Sequence, residues 1–157
     1  MRILNNGIGD KEYKLNGLLH REDGPAIEHA NGDKEWWLNG ELHREDGPAM
    51  ELSNGDKAWF INGKCHREDG PAIERFDGSK EWYINDEQHR KNGPAVELFN
   101  GDKLWYINDK LHREDGPAIE HANGIKAWYL NGKCIVYNKL IWHKLVEESK
   151  IECIMNT

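Results

Sequence analysis

The sequence predicts an all-β fold, a single-layer antiparallel β-hairpin repeat with a short C-terminal helical cap. A 23-residue segment occurs five times without gaps, and its copies begin at His20, His43, His66, His89 and His112. Asn-Gly turn signals separate short alternating segments, and Gly and Pro recur too often for a long helix. With 38% apolar and 31% charged residues, the composition suits a sheet with two wetted faces.

The first element is a half repeat over residues 1–19, where "GDKEYKLNG" matches the second half of the unit, with Tyr13 at a tryptophan position. Five full repeats follow over 20–134. Residues 135–157 match none of them. Since each hairpin buries its apolar face only against its neighbours, we expect this tail to cap the last repeat.

Each full repeat predicts two strands. In "KEWWLN" of the first repeat, Lys34, Trp36 and Leu38 share one face, whereas Trp37 and Asn39 point to the other. Asn-Gly-Asp before this strand and Asn-Gly after it predict tight turns. Two strands per repeat place equivalent residues about 10 Å apart, in ladders along the sheet.

Two aromatic ladders follow from this arrangement. The first aromatic ladder is always tryptophan and is interpreted as the structural core: Trp36, Trp59, Trp82, Trp105 and Trp128. The second aromatic ladder varies in residue type: Trp37, Phe60, Tyr83, Tyr106 and Tyr129. Because one face of a single-layer sheet stays half covered, the second ladder is either an exposed binding surface or packs under the tail or in a dimer interface.

The repeated histidines are interpreted as structural residues that bond the turn backbone or an Asp. Neighbouring repeats hold them too far apart to share one metal ion. No metal and no cofactor is therefore expected.

The arginine ladder has two interpretations: Arg21, Arg44, Arg67, Arg90 and Arg113. The guanidinium groups either pair with nearby carboxylates and stiffen the connections, or bind an acidic partner or a phosphate-bearing small molecule. In the fourth repeat, Lys91 and Asn92 replace the usual Glu and Asp. If a small anion binds along this ladder, its site is expected near Arg90, Lys91 and Arg113.

Charge and cysteine content restrict the partners. The net charge is -7, which disfavours nucleic acid and anionic membrane surfaces. The charge is uneven, because repeat 66–88 carries three basic and seven acidic residues whereas repeat 89–111 carries four and three. The odd count of 3 Cys, without a signal peptide, favours a cytoplasmic setting.

The tail predicts a short amphipathic helix over 138–150, with Asn138 as its N-cap. Ile141, Trp142, Leu145 and Val146 recur at helical spacing. A final hairpin formed by "CIVYNKLIW" is the alternative.

These motifs, W-x-x-N-G-x-x-H followed by a Gly, a strand and N-G-D, resemble the MORN (membrane occupation and recognition nexus) repeat over about residues 5–134. They are similar to its divergent HR-x-DGPA form, found in uncharacterised proteins of large phages and giant viruses. Two features depart from the family: "HREDGPA" replaces His-Gly-x-Gly, and Lys-x-Trp replaces the Tyr-x-Gly before the tryptophan.

The resemblance implies a scaffold that mediates protein association. We therefore expect a non-enzymatic protein that binds another protein, and a viral origin would make that partner a host protein and the role counter-defence. The alternative is a sequestering protein that holds a nucleotide-like anion along the arginine ladder. No catalytic residues are expected, because no carboxylate or histidine of one repeat is distinguished from its equivalents.

Overall fold

The predicted β-hairpin repeat with a C-terminal helix is confirmed by a computed structural model of the protein, which describes residues 2–5 and 9–155, with side chains over 9–151. The chain forms two compact units, Met1–Glu87 and Gln88–Thr157.

Among the described residues, the first unit and its boundary contain fifteen strands, most of them two residues long. They are β1 (Arg2–Asn5), β2 (Lys11–Leu15), β3 (Leu18–Leu19), β4 (Ile27–Glu28), β5 (Lys34–Glu35), β6 (Trp37–Leu38), β7 (Glu41–Leu42), β8 (Met50–Glu51), β9 (Lys57–Ala58), β10 (Phe60–Ile61), β11 (Lys64–Cys65), β12 (Ile73–Glu74), β13 (Lys80–Glu81), β14 (Tyr83–Ile84) and β15 (Glu87–Gln88).

The second unit repeats this pattern and ends in a helix. Its elements are β16 (Val96–Glu97), β17 (Lys103–Leu104), β18 (Tyr106–Ile107), β19 (Lys110–Leu111), β20 (Ile119–Glu120), β21 (Lys126–Leu130), β22 (Lys133–Ile135) and α1 (Trp142–Met155).

In each unit, the main strands form one antiparallel sheet in chain order. The order is β1-β2-β4-β5-β8-β9-β12-β13 in the first unit and β16-β17-β20-β21-β22 in the second. The remaining strands pair locally in short hairpins, such as β6 with β7 and β10 with β11. Each repeat thus adds two strands to the main sheet and one short hairpin beside it.

The predicted strand "KEWWLN" is divided at its first tryptophan, which is a correction to one continuous strand. The Trp36 N–H donates to the Ala49 carbonyl at 2.8 Å, and the Trp36 carbonyl accepts from the His43 N–H at 3.0 Å. Lys34 and Glu35 therefore pair within the main sheet, whereas Trp37 and Leu38 pair with β7. The two halves of the segment have different partners.

The turn signals behave as predicted. Asn39 and Gly40 have φ values of 54° and 87°, the left-handed pair that a two-residue hairpin turn requires. In the Asn-Gly-Asp turn, residues 31–33, only Gly32 has a left-handed φ, at 96°. Its N–H donates to the His29 carbonyl at 2.9 Å. That geometry is a three-residue loop closed by a glycine bulge.

The completely buried residues of the repeats are alanines, not tryptophans, which corrects the expected core. The alanine of every "GPA" has 0% exposure: Ala26, Ala49, Ala72, Ala95 and Ala118. Each tryptophan of the first ladder is half-buried. The main-chain groups of Ala26 bond strands on both sides, to Tyr13 and to Glu35, at 2.8 Å each. Ala26, directly before β4, is thus bonded between β2 and β5.

The cap is helical as expected, but α1 begins at Trp142 rather than near Asn138. The Asn138 side-chain oxygen accepts from the Leu140 N–H at 2.9 Å, which forms a tight turn instead of a helix start. The Leu145 N–H donates to the Ile141 carbonyl at 3.1 Å, so Ile141 holds the N-cap position. The alternative hairpin is not formed, because β22 ends at Ile135.

The helix covers the last repeat through both polar and apolar contacts. The Trp142 indole N–H donates to the Glu114 carbonyl at 2.8 Å, and the Asn131 amide donates to Ser149 Oγ at 2.8 Å. Tyr137 stacks on Trp128 with ring centroids 4.5 Å apart. The tyrosine ring therefore covers the final tryptophan, which no further repeat follows.

Candidate interaction grooves

Each arginine of the HRxDGPA motif folds back into its own repeat. Arg44 Nε donates to Asp46 Oδ1 at 2.8 Å, and Arg44 Nη1 donates to the Pro48 carbonyl at 3.2 Å and to Glu51 Oε1 at 3.0 Å. Its guanidinium carbon lies 4.1 Å from the centre of the Trp36 ring in the preceding repeat. One side chain thus joins a loop, a strand and the neighbouring repeat.

The same set of contacts recurs at Arg21, Arg67 and Arg113. Arg21 stacks on Tyr13, which confirms that this tyrosine of the half repeat takes the tryptophan position. The side chains of these three and of Arg44 are only 19–23% exposed. They match the interpretation in which arginine–carboxylate pairs stiffen the connections.

The glycine of the motif is explained by this arginine. A Cβ placed on Gly47 would lie 2.9 Å from the Arg44 guanidinium carbon, which is closer than carbon atoms approach one another. Gly24, Gly70 and Gly116 are in the same position. The residue is needed for space, since φ at these glycines lies outside the left-handed region.

Arg90 keeps two of these bonds, from Nη1 to the Pro94 carbonyl at 3.0 Å and to Glu97 Oε1 at 2.7 Å. The carboxylate that would follow it is replaced by Asn92, and Lys91 beside it is exposed. Of the residues predicted to hold an anion, Arg90 and Arg113 therefore serve the framework. Lys91 is the one that faces solvent.

Each repeated histidine contacts the asparagine of the next turn. His20 Nδ1 accepts from the Asn39 backbone N–H at 3.1 Å and lies 3.0 Å from Asn39 Oδ1. Accepting at Nδ1 places the proton of the neutral ring on Nε2, which lies 3.6 Å from Glu22 Oε1. His43 and His66 make both contacts with the next turn, at Asn62 and Asn85. His89 Nδ1 lies 2.6 Å from Asn108 Oδ1, and His112 Nδ1 accepts from the Asn131 N–H at 3.1 Å.

Every residue of the second aromatic ladder is half-buried. The Trp37 indole N–H donates to Glu35 Oε2 at 2.8 Å, and the Tyr83 hydroxyl donates to Glu81 Oε2 at 3.0 Å. Burial, together with the charge of Asp109, raises the pKa of Tyr106. None of the five is among the strongly exposed apolar side chains of the described residues.

Open grooves lie between consecutive HRxDG loops of the described repeats. Groove 1 lies between residues 21–24 and 43–46, and groove 2 lies between 44–48 and 66–69. Groove 3, in the second unit, lies between 90–93 and 112–115. Their volumes are about 760, 610 and 690 Å³. Such volumes are typical of sites that bind small molecules or side chains.

The floor of each groove is apolar. It consists of Trp36 and Leu38 in groove 1, of Trp59 and Ile61 in groove 2, and of Trp105 and Ile107 in groove 3. The first tryptophan ladder thus lines an open groove as well as supporting the arginines. Sequence reasoning placed Trp36 and Leu38 on one face but assigned that face to the core.

The rims of grooves 1 and 2 are acidic. Each is walled by two arginines and four carboxylates, a net charge of -2. The carboxylates are outermost: Glu45 and Asp46 are both 84% exposed, whereas Arg44 is 22% exposed. The hydrogen bond from Arg44 and its charge lower the pKa of Asp46, so this carboxylate stays ionised at neutral pH. Asp23 and Asp69 behave alike.

Groove 3 carries the opposite sign. Its walls hold Arg90, Lys91 and Arg113 against Glu114 and Asp115, a net charge of +1. Glu114 is only 41% exposed and also pairs with Lys150 of α1, at 3.2 Å. The two units therefore present grooves of the same shape and different charge.

Comparison with protein-family profiles gives no match, and comparison with curated proteins gives none either.

Among the described residues, no group of three or more His, Cys, Asp or Glu side chains is placed to hold a metal ion. In the same part of the chain, no helix has the length and apolar character needed to cross a membrane. Burial raises the pKa of the Cys65 thiol to about 12, so it stays protonated at neutral pH.

Proposed function

We propose that the protein is a non-enzymatic scaffold that binds another protein in the grooves between its HRxDG loops. The observation that carries this proposal is the recurrence of an open groove with an apolar floor and a charged rim. Protein interfaces combine these features, an apolar centre surrounded by polar groups. The arginine ladder offers no equivalent surface, because its guanidinium groups are bonded within the framework, and no residue of the second aromatic ladder lines any of the three grooves.

The absence of a distinguished position among equivalent grooves supports a binding role over a catalytic one. Catalysis requires an asymmetric, sheltered arrangement of groups with matched pKa values. Grooves 1 and 2 instead present the same residue types in the same places. The resemblance to repeats of phages and giant viruses supports a host protein as the partner and counter-defence as the role.

Site-specific crosslinking tests this function. A photo-reactive amino acid is placed at Glu45, on the rim shared by grooves 1 and 2, and in a control protein at Asn54, an exposed turn residue outside the grooves. A protein captured only from Glu45 is then purified. We expect it to bind the wild-type chain directly, and about tenfold more weakly after Glu45→Lys with Glu68→Lys.

Two results would overturn the proposal. Capture of the same proteins from both positions would show that the grooves contribute nothing. Direct binding that is unchanged by the two rim substitutions would do the same. Native mass spectrometry of the complex shows whether the partner is a second copy of this chain, the homodimer that the sequence left open.

A second candidate function is sequestration of a small anion, and the net charge of +1 in groove 3 favours it. Reversing the charge of Arg90 or Arg113 is a poor test, because both hold the framework together. Lys91→Glu is the informative variant. If the protein sequesters nucleotides, native mass spectrometry with added ATP gives a bound adduct on the wild type and none on Lys91→Glu. Lys64→Glu, at the exposed first position of β11, is the control.

A further inference from the structure

Grooves 1 and 2 lie one repeat apart along the same sheet. Between their equivalent positions the main sheet advances by two strands, as from β5 through β8 to β9. Neighbouring strands are about 4.7–4.9 Å apart, so the grooves repeat at about 9.5 Å. A ligand that uses both grooves must present matching groups at this interval.

The interval selects the conformation of a bound peptide. In a polyproline II helix, residues i and i+3 point the same way and are about 9.3 Å apart, at three residues per turn and 3.1 Å per residue. In a β-strand, side chains on one face are about 6.8 or 13.6 Å apart, and neither value fits. An α-helix brings same-face residues back at about 5.4 Å after one turn and at about 10.5 Å between residues i and i+7, which exceeds the groove interval by about 1 Å. The polyproline II repeat differs from that interval by about 0.2 Å and therefore matches consecutive grooves most closely.

The charge and the floor of the grooves select the side chains. Each groove has a net charge of -2, with Glu45 and Asp46 exposed on the shared wall. Below the rim, Trp59 and Ile61 form an apolar floor. Arginine and lysine combine an apolar stem with a cationic head, so they fit an apolar floor under an acidic rim. Proline rings pack in aromatic-lined grooves, as they do in the known complexes of proline-rich peptides.

We propose that grooves 1 and 2 together bind a polyproline II segment of a partner protein with a basic side chain at every third residue. This inference rests on the proposed function and specifies its ligand. Each groove accepts one basic side chain, and the intervening prolines cross the wall formed by residues 44–46. Groove 3 does not share this preference, because its net charge is +1.

The test uses a fluorescein-labelled peptide of four Pro-Pro-Arg triplets and the full-length protein, followed by fluorescence anisotropy. A peptide of the same composition, with its arginines in one block, has the same charge and lacks the three-residue period. We expect the triplet peptide to bind about fivefold or more tightly than the block peptide. Binding should weaken with added salt, because the attraction is electrostatic.

Matched variants assign the binding to the grooves. Glu45→Lys reverses a charge in the wall shared by both grooves, and Glu41→Lys makes the same change on an exposed β7 position outside them. We expect about tenfold weaker binding for Glu45→Lys and less than about twofold for Glu41→Lys. Both residues are exposed, so both variants should fold, and Glu68→Gln supplies a milder change at the rim of groove 2.

Equal affinity for the triplet and block peptides, equal effects of the two lysine variants, or no binding of the triplet peptide would each overturn the inference. The crosslinking experiment separates this failure from failure of the proposed function. If a protein is captured at Glu45 and its binding is weakened by the rim substitutions, the grooves remain a binding site. Their ligand is then not a basic polyproline II segment. If both experiments fail, the inference and the proposed function are both overturned.

Discussion

The acidic grooves of the first unit and the basic groove of the second unit share one framework. In each, an arginine Nη1 donates to the carbonyl of the motif proline and to a glutamate in the following strand. These bonds measure 3.2 and 3.0 Å at Arg44, and 3.0 and 2.7 Å at Arg90. The grooves differ at the two residues after the arginine, Glu-Asp in one case and Lys-Asn in the other.

The difference shows that framework and rim are independent parts of the motif. His, Arg, Gly, Pro and Ala hold the loop, and they are present in all five repeats. The two residues after the arginine are exposed, so their charge can change while the arginine keeps its bonds to the proline carbonyl and to the glutamate of the following strand. The backbone differs at one place: Gly93 has a φ of 134°, whereas Gly47 lies outside the left-handed region. Four predictions test this separation.

The largest effect is expected from removing a framework arginine. Arg44→Met leaves the Pro48 carbonyl, Glu51 and Asp46 without their donor and uncovers the Trp36 ring. We expect a loss of about 3 kcal/mol in the free energy of unfolding, measured by urea denaturation. Lys91→Met, at the rim of groove 3, should cost less than about 0.5 kcal/mol. Similar costs for the two variants would contradict a division between framework and rim.

A smaller effect is expected from filling the space beside the arginine. Gly47→Ala puts a methyl group 2.9 Å from the Arg44 guanidinium carbon, and we expect a cost of about 1–3 kcal/mol. At Gly93→Ala the corresponding approach is 3.1 Å, but a left-handed backbone adds about 1 kcal/mol. The second variant should therefore be the less stable. Thermal denaturation of the two variants tests this order. If the steric contact with the arginine alone set the cost, Gly47→Ala would be the less stable variant.

The pH dependence of stability should depend on the rim aspartates of the first unit. Hydrogen bonds and charge from the arginines lower the pKa of Asp46 and Asp69 in the folded protein. An aspartate whose pKa is lower in the folded protein than in the unfolded chain, where it is near about 4, stabilises the folded protein at pH values above that unfolded pKa. This contribution is lost as the pH falls through the folded-state pKa. The urea midpoint should fall between about pH 5 and pH 2.

That fall should be smaller in Asp46→Asn with Asp69→Asn, which gives both loops the Asn found at Asn92. Glu41→Gln, which changes an exposed carboxylate of β7 outside the grooves, serves as the control. An identical pH profile in wild type and the double variant would show that these pairs do not contribute.

The smallest effect is expected from converting the rim of groove 3 to that of groove 1. Lys91→Glu with Asn92→Asp changes the groove charge from +1 to -2 and supplies Arg90 with a carboxylate. Stability should change by less than about 1 kcal/mol, since the pair is at the surface. The labelled Pro-Pro-Arg peptide should bind about two- to threefold more tightly. Unchanged affinity would mean that rim charge does not set the preference of a groove.

Much of the architecture was predictable because its determinants are local. The 23-residue period, the Asn-Gly turns and the alternation of "KEWWLN" are read within a few neighbouring residues. They predicted the hairpins, the structural histidines and the shared face of Trp36 and Leu38. The start of the helix was not predictable from spacing, because the stacking of Tyr137 on Trp128 and the turn at Asn138 precede it.

The sequence by itself determined the repeat, the turns and the alternatives for the arginines. Only the tertiary structure decided between those alternatives, because the partners of Arg44 come from its own loop, from Glu51 in the next strand and from Trp36 in the preceding repeat. It also decided that the completely buried residues of the repeats are the motif alanines, because the main chain of an alanine such as Ala26 is bonded between two strands that are distant in sequence. The half-buried tryptophans support the arginines and line the grooves.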